Sequence, residues 1–160
     1  MRPEHARAFL EVHHAAVRGL AAKDYPPLVI EAWAPMPVTD DAVERVRANP
    51  EDEYRLIADM DGCVVGIGVG AFEKAELRAC YVAPDVGRKG IGSALVREIE
   101  RAARKHGLRH LELDSSVTAE SFYRKAGFEV IERGEHVLRN GQRMACVKMR
   151  KVLARNCSGD

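Results

Sequence analysis

Val82-Ala83-Pro84-Asp85-Val86-Gly87-Arg88-Lys89-Gly90-Ile91-Gly92-Ser93-Ala94-Leu95 is the stretch that decides the fold. A β-branched run stops at a proline and a glycine-rich basic turn follows. A helix then opens, with Ile91, Leu95, Ile99 and Ala102 at helical spacing. Strand, glycine turn and helix N-terminus together suit phosphate, because the first turn of a helix carries unpaired N–H donors and a partial positive charge. Gly90 and Gly92 remove side chains that would hold a pyrophosphate off, and Arg88 and Lys89 add positive charge at the mouth. Two familiar phosphate sites are ruled out by spacing. Lys89 is followed by Gly90 rather than Ser or Thr, so there is no P-loop. The order G-x-x-G-x-G is not the dinucleotide fingerprint. On these residues alone, a glycine turn before an ordinary helix remains the alternative.

A second segment, Ser121-Phe122-Tyr123-Arg124-Lys125-Ala126-Gly127-Phe128, lies further along. Together the two segments resemble the GNAT superfamily of N-acetyltransferases, over about Ala75 to Lys151. In that family a Q/R-x-x-G-x-G/A turn holds the pyrophosphate of acetyl-CoA, and a short helix ending in F-Y-x-x-x-G-F sets a tyrosine beside the CoA sulfur. The resemblance implies acetyl-CoA as acetyl donor, gripped by Arg88, Lys89, Gly90, Ile91, Gly92 and Ser93. It implies main-chain contacts from Tyr81 and Val82, and contacts from Ser116 and Tyr123. One departure is visible: the leading Gln or Arg of the motif falls at Gly87, with the arginine displaced to Arg88.

Composition fits a compact domain. The chain has 160 residues, 46% hydrophobic, enough for one full core. With 25 basic and 24 acidic side chains the net charge is +1, so no global field points to nucleic acid or a membrane surface. There is no apolar run long enough to span a bilayer and no signal-peptide core in Met1-Arg2-Pro3-Glu4-His5. Cys63, Cys80, Cys146 and Cys157 show no metal spacing. No metal is expected. Cys63, Cys80 and Cys146 read as strand residues of a reduced, cytoplasmic protein, and Cys157 as an exposed tail residue.

The elements follow from periodicity and punctuation. Pro3 to Arg18 reads as a helix ended by Gly19, Tyr25 to Ala34 as a second helix, and Asp41 to Ala48 as a third, capped by Thr39 or Asp40. Tyr54 to Met60 and Cys63 to Phe72 form a hairpin about Asp61-Gly62. Gly66, Gly68 and Gly70 recur with period two there and leave one face bare, a groove open to a ligand. Glu76 to Val82 is the strand feeding the glycine turn, and Gly87 to Lys105 the long helix. Arg109 to Asp114 is a strand, Thr118 to Ala126 a short helix, and Phe128 to Arg133 with Gln142 to Lys151 a last hairpin. This order is α/β or α+β: a GNAT-like mixed, mostly antiparallel sheet flanked by helices. The usual first strand of that family has no residues to form it. Either the chain starts late or a partner covers the open edge, and a homodimer is the expected cover. A single domain, 1–153, and a frayed tail, 154–160, complete the chain.

The chemistry implied by the resemblance is acetyl transfer to a primary amine of a small molecule or protein. An ammonium must lose a proton before it can attack, and the leaving thiolate must gain one. Glu76, at the start of its strand, is the expected base; a solvated charge paired with Lys74 or Arg78 is the plain alternative, and Asp114 and Glu112 are weaker choices. Tyr123 is the expected acid. Trp33, Tyr25 and Asp114 are placed in or near the acceptor site, although Trp33 serves equally as core. The acceptor itself is not named by the sequence; its specificity is expected in residues about 19 to 40 and in the last hairpin. Two other classes were weighed: a non-catalytic acyl-CoA-binding regulatory domain, and a nucleic-acid modifier, which the neutral charge disfavours.

Overall fold

The computed structural model describes residues 1–154. Two elements continue one another at the start. A 3-10 turn at Pro3–His5 leads into α1 (Ala6–Ala16), which runs on as a π turn, Val17–Ala21. Next come α2 (Pro27–Trp33) and α3 (Asp40–Ala48), the latter capped by Thr39, whose hydroxyl accepts from the Ala42 N–H at 3.3 Å. The strands are β1 (Tyr54–Met60), β2 (Cys63–Ala71), β3 (Glu76–Val82), β4 (His110–Ser116), β5 (Glu129–Val137) and β6 (Arg143–Val152). Helix α4 (Ile91–Lys105) follows β3, and α5 (Glu120–Lys125) follows β4. No strand precedes α1 among the described residues. The tail beyond 154, with Cys157, lies outside them.

One six-stranded sheet results, in the order β1-β2-β3-β4-β6-β5. Every pair is antiparallel except β3 with β4. The mixed, mostly antiparallel, helix-flanked architecture is the one expected. Strand β1 forms one edge of this sheet. There the Met1 ammonium donates to the Arg55 carbonyl at 3.2 Å, and the Arg55 guanidinium reaches back to the Val46 carbonyl of α3.

Strand alternation divides the core between the two faces. On one face of β2, Ile67 and Val69 pack against Phe9 and Val12 of α1. The other face carries Gly66, Gly68 and Gly70, and here the expectation of a ligand groove is overturned. A Cβ on Gly66 would lie 2.9 Å from Ile91 and one on Gly68 2.9 Å from Ile99, while one on Gly70 would lie 2.4 Å from the Phe72 ring. The stripe is the seat of α4, not an opening. Helix α4 also joins the main core, where Val96, Ile99 and Ala103 meet Leu77, Leu111, Leu113, Val147 and Met149, with Tyr123 and Phe128 from the α5 region. One buried charge cluster pins this layer. Lys151 donates to Glu100 of α4 at 2.6 Å and to the Ala126 carbonyl at the end of α5 at 2.7 Å, and Arg104 shares the same glutamate at 3.2 Å.

Gly19 does not end its helix. The π turn carries through it, and a Cβ there would lie 2.8 Å from Pro84. The glycine lets the end of the first helix press against the loop that leads into α4.

Because α4 sits on bare backbone, Gly68→Val should push it off the sheet and lower unfolding free energy by roughly 1–3 kcal/mol, the usual range for overpacking. Denaturant unfolding checks this; an unchanged midpoint would mean that the helix gives way freely.

Candidate active site

Strands β3 and β4 are paired at one position, Glu76 with Glu112, backed by the Glu112 N–H donating to the Ala75 carbonyl at 2.9 Å. Beyond that point they separate, and the gap runs through the sheet. On the β2 side of β3, the Ala83 N–H donates to Val65 at 2.8 Å. Antiparallel alternation then gives the backbone groups of Tyr81 and Ala79 to β2 and turns those of Cys80 and Val82 toward the gap. Tyr81, expected to offer its main chain to a ligand, is therefore paired with β2 through its backbone, whereas Val82 faces the gap as expected. Cys80 does too, a residue the sequence reading had treated only as a strand cysteine.

Two cavities meet at this gap. The first, about 370 Å³, lies on the α4 side and is lined by Val82, Arg88, Gly90 to Ser93, Thr118 and Phe122, with Leu20 from the π turn. Gly90 is the N-cap of α4 in the left-handed region, φ +77°, and no side chain caps the helix. The donors of its first turn are thus left for a ligand. Gly92 is required for a different reason: a Cβ there would sit 3.1 Å from the Phe122 ring. Arg88 also takes a positive φ, +64°. Lys89 is exposed and does not line this cavity.

The second cavity, about 550 Å³, includes Trp33, Glu51, Glu76, Arg78, Tyr81, Asp114, Ser116, Tyr123 and His136 in its wall. Cys80 and Ala119 line both cavities and mark their junction. Tyr123 is buried, yet its hydroxyl opens on the larger cavity with no hydrogen-bond partner among the described residues; burial raises its pKa well above the ordinary phenol value. Burial likewise pushes the Cys80 thiol up to about 12 and the Tyr81 phenol up to about 12. The His13 imidazole, tilted against Tyr81 with ring centroids 4.6 Å apart, is pushed down to about 3. These four groups are held neutral at physiological pH.

Charge returns at the outer end. Arg78 bonds Glu51 and Glu53 at 2.6 Å each and Glu76 at 3.1 Å. Glu76 stands four residues along β3 from Cys80, about 13 Å at the usual strand rise. Asp114 faces the same cavity and takes the His136 ring at 3.1 Å. Ser116 lines the wall, and its hydroxyl accepts from the Ala119 N–H at 3.2 Å. Trp33 combines both expected roles, lining the cavity and packing edge-on against Tyr25 at 5.7 Å. Tyr25 itself is buried away from the cavity. Its hydroxyl accepts from the Val117 N–H at 2.9 Å and donates to the Ala145 carbonyl at 2.6 Å, tying the β4–α5 loop to β6. Among the described residues no group of three or more His, Cys, Asp or Glu could hold a metal, and no helix is long and apolar enough to cross a membrane.

Comparison with known proteins agrees with this geometry. The family described as "Acetyltransferase (GNAT) domain" matches residues 21–153. A GCN5-related N-acetyltransferase from Rhodopseudomonas palustris is 28% identical, with 96% of this chain and 92% of that one aligned and a TM-score of 0.84. The PaiA N-acetyltransferase from Thermoplasma acidophilum, solved in complex with coenzyme A, is 25% identical over 95% of each chain, with a TM-score of 0.71. The acetyltransferase YncA from Salmonella typhimurium, solved with acetyl-CoA, is 19% identical over 100% of this chain and 95% of that one; its TM-score of 0.69 shows a shared fold.

Tyr25→Phe removes one hydroxyl and leaves a backbone donor and acceptor without partners. The expected cost is about 1–3 kcal/mol of stability, measured by urea unfolding. A cost below the error of the measurement would assign Tyr25 to packing alone.

Proposed function

Because the chain belongs to the GNAT acetyltransferases, we propose that it moves the acetyl group of acetyl-CoA to a primary amine of a small molecule or protein, by direct attack with both partners held at once. It is an acyltransferase, and acetyl-CoA is its acetyl donor. The observation that carries the finer reading is the passage between β3 and β4, which joins a cleft at a helix N-terminus to a second, polar cavity.

The residues of the smaller cleft fit the donor. The uncapped first turn of α4, Arg88 through Ser93, would hold the pyrophosphate, with most of the grip from backbone N–H groups. This is why Gly87 in place of the motif's Gln or Arg is tolerable. Lys89 adds field rather than contact. The gap-facing backbone of Cys80 and Val82 would pair with the pantetheine amides, and Ser116 orders the loop beside them. The thioester then lies at the junction and supplies the carbonyl carbon for attack.

Direct transfer suits the groups found there. Cys80 is the nucleophile nearest the junction, and with a pKa of about 12 it stays a thiol, unsuited to carrying the acetyl group. Tyr123 keeps its proton at neutral pH and can donate a hydrogen bond to the sulfur as charge develops. In the larger cavity Glu76, steadied by Arg78, draws and orients the incoming ammonium, and Trp33 and Tyr81 wall its apolar part. A non-catalytic acyl-CoA-binding domain would need neither this second cavity nor a free phenol at the junction.

Gly90→Val would place a β-branched side chain in the left-handed region and at the phosphate approach, so acetyl-CoA affinity should fall at least tenfold, read by calorimetry on protein with a normal melting temperature. Tyr123→Phe should leave that affinity within twofold and lower kcat by roughly ten- to a thousand-fold, the scale of one lost acid. Full turnover in Tyr123→Phe, with chemistry rate-limiting, would make Tyr123 a packing residue.

A further inference from the structure

We propose that His136, oriented by Asp114, takes the proton from the acceptor ammonium; the inference rests on the amine-acetylation reading above. Register puts the two residues on one face of the sheet. Asp114 pairs across β6 with Lys148, and His136 on β5 pairs with Met144. The row between them holds Ser116, Cys146 and Gly134, two small side chains and one residue with none, so the imidazole can reach over β6 to the carboxylate. Its Nδ1 lies 3.1 Å from Asp114 Oδ2. An ionised carboxylate only accepts, so Nδ1 is the donor, and in the neutral imidazole the lone pair then lies on Nε2. Nε2 has no bond to Asp114, and His136 and Asp114 both line the larger cavity.

The other carboxylates of that cavity are committed. Glu51 is held by Lys74 and Arg78, and Glu76 by Arg78. On the sheet face around the pair, Glu132 is matched by Lys148 at 3.3 Å. Among the described residues, Asp114 is the cavity carboxylate bonded to an imidazole rather than to lysine or arginine.

The protons balance. The ammonium gives one proton to Nε2, forming an imidazolium beside the Asp114 carboxylate, and the neutral nitrogen attacks the thioester carbon. As the C–S bond breaks, the sulfur takes a proton from Tyr123, which recovers one from the attacking nitrogen. The imidazolium, half-exposed at the cavity mouth, returns its proton to water.

The test uses the full chain with acetyl-CoA and four acceptors: butylamine, phenylethylamine, glycinamide and a short peptide with a free amino terminus. Thiol release and the mass of the acetylated amine are both followed. With the best acceptor, His136→Ala should lower kcat/KM by about a hundredfold or more, with acetyl-CoA affinity within twofold, and added imidazole should restore turnover in proportion to its concentration. His136→Asn, which keeps a donor near Nδ1 but no base at Nε2, should be as impaired and should melt as the wild type does. Asp114→Asn should lose roughly tenfold, the lower part of the range for a positioning partner. Turnover within threefold of wild type in both His136 variants would overturn the proposal and leave the amine-acetylation reading standing. So would a loss in His136→Ala that imidazole does not relieve. A wild-type protein that binds acetyl-CoA and acetylates none of the four amines would refute the reading and the inference together.

Discussion

Two parallel strands bridged at a single residue pair cannot satisfy one another's backbone. Past Glu76 and Glu112 the gap-facing N–H and C=O groups of β3 need other partners, because buried backbone groups left unpaired cost free energy. Much of the surrounding structure keeps that gap open. Ala75 turns through the left-handed region, φ 52°, and its carbonyl takes the last bond that β4 offers. On one side, α4 is drawn close to β2 by a row of glycines, which brings its N-terminus to the mouth of the gap. Across the gap, Lys151 of β6 joins Glu100 within α4 to the Ala126 carbonyl at the end of α5, which fixes the spacing of the two helices. A ligand with amide groups along its length is the natural third strand.

Burial then sorts the site by charge. The inner wall, Cys80, Tyr81 and Tyr123, with His13 packed behind Tyr81, is neutral because ionising any of these groups would leave a charge without water. The outer wall is ionic, with Arg78 shared among three carboxylates. An amine that enters as a cation is welcome outside and costly inside. On the proposed reading, loss of its proton is coupled to its advance toward the thioester, and the group that receives the proton belongs at the boundary between the two walls. Asp114 and His136, proposed for that role, line the larger cavity together, on a face where small side chains leave room for the imidazole to cross.

The parts of this fold that were legible in the sequence are those governed by local chemistry. The hairpin at Asp61-Gly62 takes positive φ at both residues, as its turn type demands. Strands β1 and β3 begin and end where alternation put them. The glycine turn and the tyrosine helix were readable because each needs particular residues at particular offsets. The glycine stripe in β2 misled for the opposite reason: a bare face looks the same whether a ligand or a helix fills it, and only the long-range fit of Ile91, Leu95 and Ile99 decides. Gly19 was misread similarly, as a stop signal, when its partner is Pro84, far along the chain.

The larger cavity was less legible because its wall is assembled across the sheet. Trp33 comes from α2, Glu51 from the approach to β1, Arg78 from a bulge in β3, Asp114 from β4 and His136 from the last hairpin. No spacing rule links them. The pairing of Asp114 with His136 depends on the β5–β6 register and on Gly134 lying between, and a one-residue slip would turn the imidazole to the opposite face. Tyr25 shows the same limit from the other direction. Its place in the same region as Trp33 suggested an acceptor contact, while its hydroxyl joins two segments about a hundred residues away. On the proposed reading the donor is recognised by backbone, which short motifs encode, and the acceptor by side chains, which only the closed sheet brings together.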